Sequence, residues 1–117
     1  MQLPGREIPT VQAHGVPFPL PPDTLVLDVR EDEEWQAGHI EDAAHVPLSQ
    51  LPARISEIDS AGGRVLAVCR SGARSARATM FLRQHGHDAV NLDGGMHAWF
   101  DAGRPMVSQT GRPPEVV

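Results

Sequence analysis

The chain has 117 residues, of which 40% are hydrophobic and 21% are charged, and its net charge at pH 7 is −5. This length suits one domain with a single buried core. The acidic balance disfavours general binding to nucleic acid or to an anionic membrane. The sequence has no lysine, no tyrosine and one cysteine, Cys69. These absences exclude lysine nucleophiles, phenolic acid–base catalysis and an internal disulfide.

The cysteine count and the first residues bear on where the protein works. A lone cysteine favours a reducing compartment. The opening stretch, MQLPGREIPT, lacks the basic and apolar regions of a secretion signal. No apolar run approaches the roughly 20 residues that a membrane span requires. We therefore expect a cytoplasmic protein that binds no membrane.

The first half of the chain is divided between proline-rich and regular segments. Residues 1–23 are rich in proline, and a short edge strand is predicted at IPTVQ (8–12). The apolar run LVLDV (25–29) predicts a buried strand, followed by a short acidic helix that ends at Gly38. A brief strand at AAHVPL and a helix from a Ser49 cap through Ile58 complete this half.

The second half repeats the strand–helix alternation. RVLAVC (64–69) is the clearest strand, and the helix after it is expected from about Arg74 to His85. AVNLD predicts another strand, GG a turn and MHAWFDAG a last helix, while residues 108–117 are expected to form a flexible tail. Together the elements predict an α/β domain over residues 24–107, with a mainly parallel central sheet of about five strands flanked by helices.

The loop after the clearest strand carries the strongest chemical signal. It starts at Cys69 and continues through Arg70, Ser71, Gly72, Ala73 and Arg74. Ligands gather at the carboxyl ends of parallel strands, where Gly72 permits a sharp turn and unpaired amides form an anion-binding nest. These amides, the positive end of the helix and the arginines favour a reactive thiolate. The alternatives are an inert buried cysteine and, for Arg74, a structural ion pair.

Three segments, in order, resemble the rhodanese family, whose members carry sulfane sulfur as a cysteine persulfide. CRSGARS (69–75) is similar to the active-site loop, LDVREDEEWQAGHIEDAAHVPL (27–48) to the N-terminal signature and NLDGGMHAWFDAGRPM (91–106) to the closing segment. The resemblance covers about residues 24–107. The chain departs from the family between its first two strands, where members usually have a helix and this chain has AHGVPFPLPP.

The resemblance implies a sulfurtransferase that uses a Cys69 persulfide and needs no metal or organic cofactor. It implies a small anionic donor such as thiosulfate and a thiol, protein or cyanide acceptor, and it assigns no oligomeric state. The acidic net charge, as noted above, predicts no nucleic-acid or membrane partner. Residues 70–74 would form the substrate-binding loop, with Arg70 attracting the sulfonate of the donor and Arg74 holding the loop. Asp28 and Arg30 would support the site, either as a buried ion pair or by touching substrate.

Loop length separates this function from related ones. Cysteine phosphatases and arsenate reductases use C-x5-R, whereas Cys69 and Arg74 give C-x4-R. The shorter loop encloses less volume and suits one extra sulfur atom. Two alternatives remain: a low-molecular-weight phosphatase or arsenate reductase-like enzyme, and a non-catalytic rhodanese-fold module with a regulatory or redox-sensing role.

Overall fold

The computed structural model describes residues 8–117 and contains one five-stranded parallel sheet in the order β1-β5-β4-β2-β3. The strands are β1 (Thr10–Val11), β2 (Thr24–Asp28), β3 (Ala44–His45), β4 (Arg64–Val68) and β5 (Asp88–Leu92). The α-helices are α1 (Asp32–Ala37), α2 (Leu51–Arg54), α3 (Ala73–Gln84) and α4 (Gly95–Asp101). The predicted α/β fold with a parallel sheet of about five strands is confirmed.

Strand β4 lies in the middle of the sheet and is buried on both faces, which explains its continuous apolar sequence. Val65 and Ala67 face a core that also contains Leu82 of α3. Leu66 and Val68 face a second core, which includes residues of α4.

The longest of the four α-helices, α3, has 12 residues. Within residues 8–117 no helix is long and apolar enough to cross a membrane.

The expected helix from Ser49 to Ile58 is divided in the structure. A 3-10 turn at Leu48–Gln50 leads into the four-residue helix α2, and a second 3-10 turn follows at Ile55–Glu57. Pro52 lies in the first turn of α2, the part of a helix where a missing N–H is tolerated. The α-helix therefore starts later than predicted, and Ser49 does not cap it.

The N-terminal segment in which the chain departs from the family pattern contains an edge strand but no α-helix within residues 8–23. Between β1 and β2 the chain forms a 3-10 turn at Ala13–Gly15 and then the proline-rich stretch, with no α-helix. Strand β1 still pairs in parallel with β5 at the sheet edge. The part of the proline-rich segment at residues 1–7 lies outside the described residues.

The last ten residues differ from the predicted flexible tail. The backbone amides of Gln109 and Glu115 donate to the carbonyl oxygens of Gln36 and Ala37 at 2.9 and 3.0 Å. Val116 packs against the second core. The carbonyls at the end of a helix lack partners within it, and the tail supplies donors to them at the end of α1.

Candidate active site

Cys69 lies at the carboxyl end of β4, where the chain turns from the sheet into α3, and the residue is only 1% exposed. The turn depends on Gly72, which precedes α3 with a φ of 110°. Residues other than glycine rarely adopt this backbone conformation. A Cβ at this position would also lie 3.3 Å from the backbone nitrogen of Gly94. The loop therefore folds tightly around the sulfur.

Two donors contact the sulfur directly. The amide of Gly72 donates to Cys69 Sγ at 3.1 Å, and the hydroxyl of Ser75 lies 3.2 Å from it. Burial raises the pKa of the Cys69 thiol, but the Ser75 hydroxyl and the amides of Ser75, Gly72 and Ser71 together outweigh burial and hold the pKa below its ordinary value. These contacts thus make the Cys69 thiolate easier to form than that of an ordinary cysteine.

Arg74 ties the loop to α1. Its Nη1 and Nη2 donate to the two carboxylate oxygens of Glu34 at 2.8 and 2.9 Å. The hydrogen bonds from Arg74 outweigh the effect of burial and lower the pKa of Glu34, and the same pair raises the pKa of Arg74. The predicted loop-holding role of Arg74 thus has a specific partner, and Glu34 is a site residue that the sequence reasoning did not name.

Arg70, the residue expected to attract the donor, is exposed beside the loop. Its Nε donates to the carbonyl oxygen of Val117 at 2.9 Å. Within residues 8–117 its two Nη groups make no hydrogen bond that would occupy them. The tail therefore holds the Arg70 side chain at one nitrogen and leaves the end of the guanidinium for an anion.

Asp28 and Arg30 form a fully buried ion pair at the end of β2. Arg30 Nε and Nη2 donate to the carboxylate at 2.9 and 2.8 Å, and Nη2 also donates to the Gly38 carbonyl at 2.6 Å. Both side chains are 0% exposed. This arrangement joins β2 to the end of α1 and corresponds to the ion-pair interpretation, since neither side chain presents a surface to a substrate.

The first residues of α4 hold the backbone of the loop through hydrogen bonds. The amides of Met96 and His97 donate to the carbonyls of Cys69 and Arg70 at 2.7 and 3.1 Å. Gly95 makes this approach possible, because a Cβ there would collide with the Cys69 carbonyl oxygen. The sequence predicts only a turn at the GG pair, residues 94–95. Its position between a strand and a helix was the signal for a close backbone contact.

Comparisons with known proteins agree with the observed fold. The model of the family described as Rhodanese-like domain matches residues 20–102. A sulfurtransferase of Allochromatium vinosum is 42% identical over 90 residues, which cover 76% of this chain and 83% of that protein. The crystal structure of a rhodanese-related protein from Thermoplasma volcanium has a TM-score of 0.78 and 30% identity, covering 85% of this chain and 97% of that one. A rhodanese-like domain protein from Staphylococcus aureus has a TM-score of 0.71 and 32% identity, covering 79% and 91%.

Proposed function

The chain belongs to the rhodanese-like domain family, and on this premise we propose that it is a sulfurtransferase that carries sulfane sulfur as a persulfide on Cys69. Its relatives support sulfur transfer in general. The more specific proposal is that thiosulfate or a related persulfide is the donor and that a thiol or cyanide is the acceptor. The observation that carries it is the pair of hydrogen bonds that Cys69 Sγ receives from Gly72 and Ser75.

In the first half-reaction, the thiolate of Cys69 attacks the outer sulfur of thiosulfate. A bond forms between Sγ and that sulfur, the sulfur–sulfur bond of the donor breaks, and sulfite leaves with the electron pair. The exposed guanidinium of Arg70 attracts the sulfonate during this step. The product is an anionic persulfide, with its charge on the outer sulfur.

In the second half-reaction, an acceptor thiolate or cyanide attacks the outer sulfur. The bond between that sulfur and Sγ breaks, and Cys69 leaves as a thiolate, as in thiol–disulfide exchange. Cyanide becomes thiocyanate, and a thiol becomes a persulfide. The loop donors that stabilise the starting thiolate stabilise the leaving thiolate as well. We expect this cycle in a reducing compartment such as the cytoplasm, where the thiol stays reduced.

The test is the mass of the intact protein before and after incubation with thiosulfate. Because Cys69 is the only cysteine, a gain of one sulfur atom that is absent in Cys69→Ser places the sulfur on this residue. Addition of cyanide is expected to restore the original mass and to release an equal amount of thiocyanate.

Other results would overturn the proposal. A wild-type chain that gains no sulfur but hydrolyses an aryl phosphate is a phosphatase. A chain that neither gains sulfur nor hydrolyses the phosphate is a regulatory or redox-sensing module. The loop length of C-x4-R speaks against the first outcome, and the donors aimed at Sγ speak against a module that makes no use of a thiolate.

A further inference from the structure

Asn91 is a buried polar residue on β5 that the proposed reaction does not yet use. It is 6% exposed, and its neighbours along the strand, Val90 and Leu92, are apolar and pack in the second core. Its Oδ1 lies 2.5 Å from Ser75 Oγ, and its Nδ2 donates to the Gly72 carbonyl at 3.3 Å. The amide thus touches both residues that contact Cys69 Sγ.

Several acceptors compete for the single proton of the Ser75 hydroxyl. Three acceptors lie within its reach: Asn91 Oδ1 at 2.5 Å, Cys69 Sγ at 3.2 Å and the Gly72 carbonyl at 3.3 Å. A serine hydroxyl carries one proton and donates one strong hydrogen bond at a time. The shortest of these contacts goes to Asn91, so the amide oxygen and the sulfur compete for the same proton.

We propose that Asn91 is a positioning residue that holds the Ser75 proton whenever Sγ carries no charge and releases it to Sγ when the charge arrives there. The proposal deepens the function proposed above and rests on it for its sulfur-transfer part. With a neutral thiol, the S–H can donate to Ser75 Oγ while Ser75 donates to Asn91. With a thiolate, the hydroxyl rotates and donates to the sulfur. The thiol proton is lost to solvent when the thiolate forms, and the rotation of the hydroxyl moves the Ser75 proton from one acceptor to the other without breaking its O–H bond.

The competition between Asn91 and Cys69 Sγ for the Ser75 proton also changes during sulfur transfer, because the negative charge moves between the two sulfur atoms. In the persulfide the charge lies on the outer sulfur, so Sγ needs the Ser75 proton least and Asn91 retains it. When an acceptor removes the outer sulfur, the charge returns to Sγ and the hydroxyl turns back. Asn91 therefore stabilises the loaded protein relative to the free thiolate, which makes it a determinant of how long sulfur is kept.

The elements packed around Cys69 carry the same titratable and charged residues in the wild type and in Asn91→Ala. They come from the loop and α3, from the end of β2, from α1 and from the segment after β5: Arg70, Arg74, Arg77, Asp28, Arg30, Glu34, Asp93 and His97. Asn91→Ala neither adds nor removes one of them, so a change in Cys69 reactivity in this variant reports on the Ser75 proton.

The test measures the rate of Cys69 alkylation by iodoacetamide against pH, together with the decay of the preloaded persulfide in a fixed concentration of thiol. Asn91→Ala removes the competing acceptor, so the alkylation midpoint is expected to fall by about 0.5 to 1 pH unit and the persulfide to decay faster. Asn91→Asp keeps the shape and adds a negative charge, so both quantities are expected to move in the opposite direction. Only the part of this effect that disappears in a Ser75→Ala background reports on the hydroxyl.

Two controls separate this role from a merely structural one. Thr79→Val removes another buried hydroxyl of α3, one that donates to the Ser75 carbonyl at 2.8 Å, and should leave the midpoint unchanged. In a Ser75→Ala background, Asn91→Ala should no longer lower the midpoint, because no proton remains to be released. Urea titration of each variant verifies that the fold is retained.

Either of two results would overturn the proposal: equal midpoints in the wild type and in folded Asn91 variants, or a fall in midpoint that persists without the Ser75 hydroxyl. The alkylation readout does not require sulfur transfer. A chain that gains no sulfur from thiosulfate but shows the expected midpoints refutes the proposed function and retains the proton competition. A chain that gains sulfur from thiosulfate but shows unshifted midpoints retains the proposed function and refutes the proton competition.

Discussion

Replacing Glu34 with glutamine removes the charge that holds Arg74 while preserving the shape of the side chain. The pair has two hydrogen bonds, at 2.8 and 2.9 Å, and its side chains are 14% exposed for Glu34 and 33% for Arg74. A protected hydrogen bond to a charged group contributes about 1.5 to 3 kcal/mol, and an exposed ion pair about 0.2 to 1 kcal/mol. This pair lies between those cases, so we expect a loss of about 1 to 2 kcal/mol at pH 7.

The loss of unfolding free energy in Glu34→Gln should become smaller as the pH falls. Hydrogen bonding to Arg74 lowers the pKa of Glu34 in the folded protein from its ordinary value of 4.5. A carboxyl whose pKa is depressed by folding contributes fully above its unfolded pKa, and the contribution disappears as the pH falls through the folded pKa. The difference between wild type and Glu34→Gln is therefore constant near neutrality and shrinks below about pH 4.5.

Urea unfolding at several pH values measures this difference, and a double-mutant cycle with Arg74→Gln isolates the pair from other effects of each change. We expect a coupling free energy of about 1 kcal/mol at pH 7 and almost none at pH 3. Coupling near zero at pH 7, or coupling of the same size at both pH values, would show that this ion pair does not hold the loop.

Three further predictions follow from contacts around the loop. Arg70→Ala should slow sulfur uptake from thiosulfate by about tenfold. Arg77→Ala, which removes an exposed arginine of α3 outside the loop, should not slow it, and equal effects in mass-spectrometric time courses would contradict the assigned role. Gly95→Ala should lower the free energy of unfolding in urea by about 2 to 3 kcal/mol because its Cβ would meet the loop backbone. The control is Gly86→Ala, because Gly86 has a φ of 88° but lies in open space; it should lower the free energy of unfolding by about 1 kcal/mol. A smaller loss for Gly95→Ala than for Gly86→Ala would contradict the close contact. Deleting residues 115–117 should lower stability by about 1 to 2 kcal/mol, detectable as a lower melting temperature, and an unchanged melting temperature would mean that these contacts contribute nothing.

Local patterns were sufficient to predict the sheet and the loop. The continuous apolar run that ends at Cys69 fixes a strand buried on both faces, and Gly72 marks the turn that follows it. The spacing from Cys69 to Arg74 is likewise contained in six consecutive residues. Such features depend on neighbours in the sequence, so they can be interpreted without knowledge of the tertiary contacts.

The partners of these residues depend on tertiary contacts. Glu34 lies 40 residues before Arg74 and is one of several acids in its stretch, so sequence alone could not choose it. Asn91 reaches Ser75 because β5 pairs with β4 in a register that places Asn91 opposite Ala67. The tail is held largely through backbone groups, which carry no side-chain signature.

The shortness of β1 has a consequence for the motions of the molecule. This edge strand is only two residues long, and the amides of Asn91 and Asp93 donate to the carbonyls of Pro9 and Val11 at 2.8 and 2.9 Å. Short edge pairings open at lower free energy than central strands. Hydrogen exchange at those two amides should therefore be faster than in β4. Because β5 stays paired with β4 when β1 opens, warming should free these two amides before the sheet as a whole unfolds.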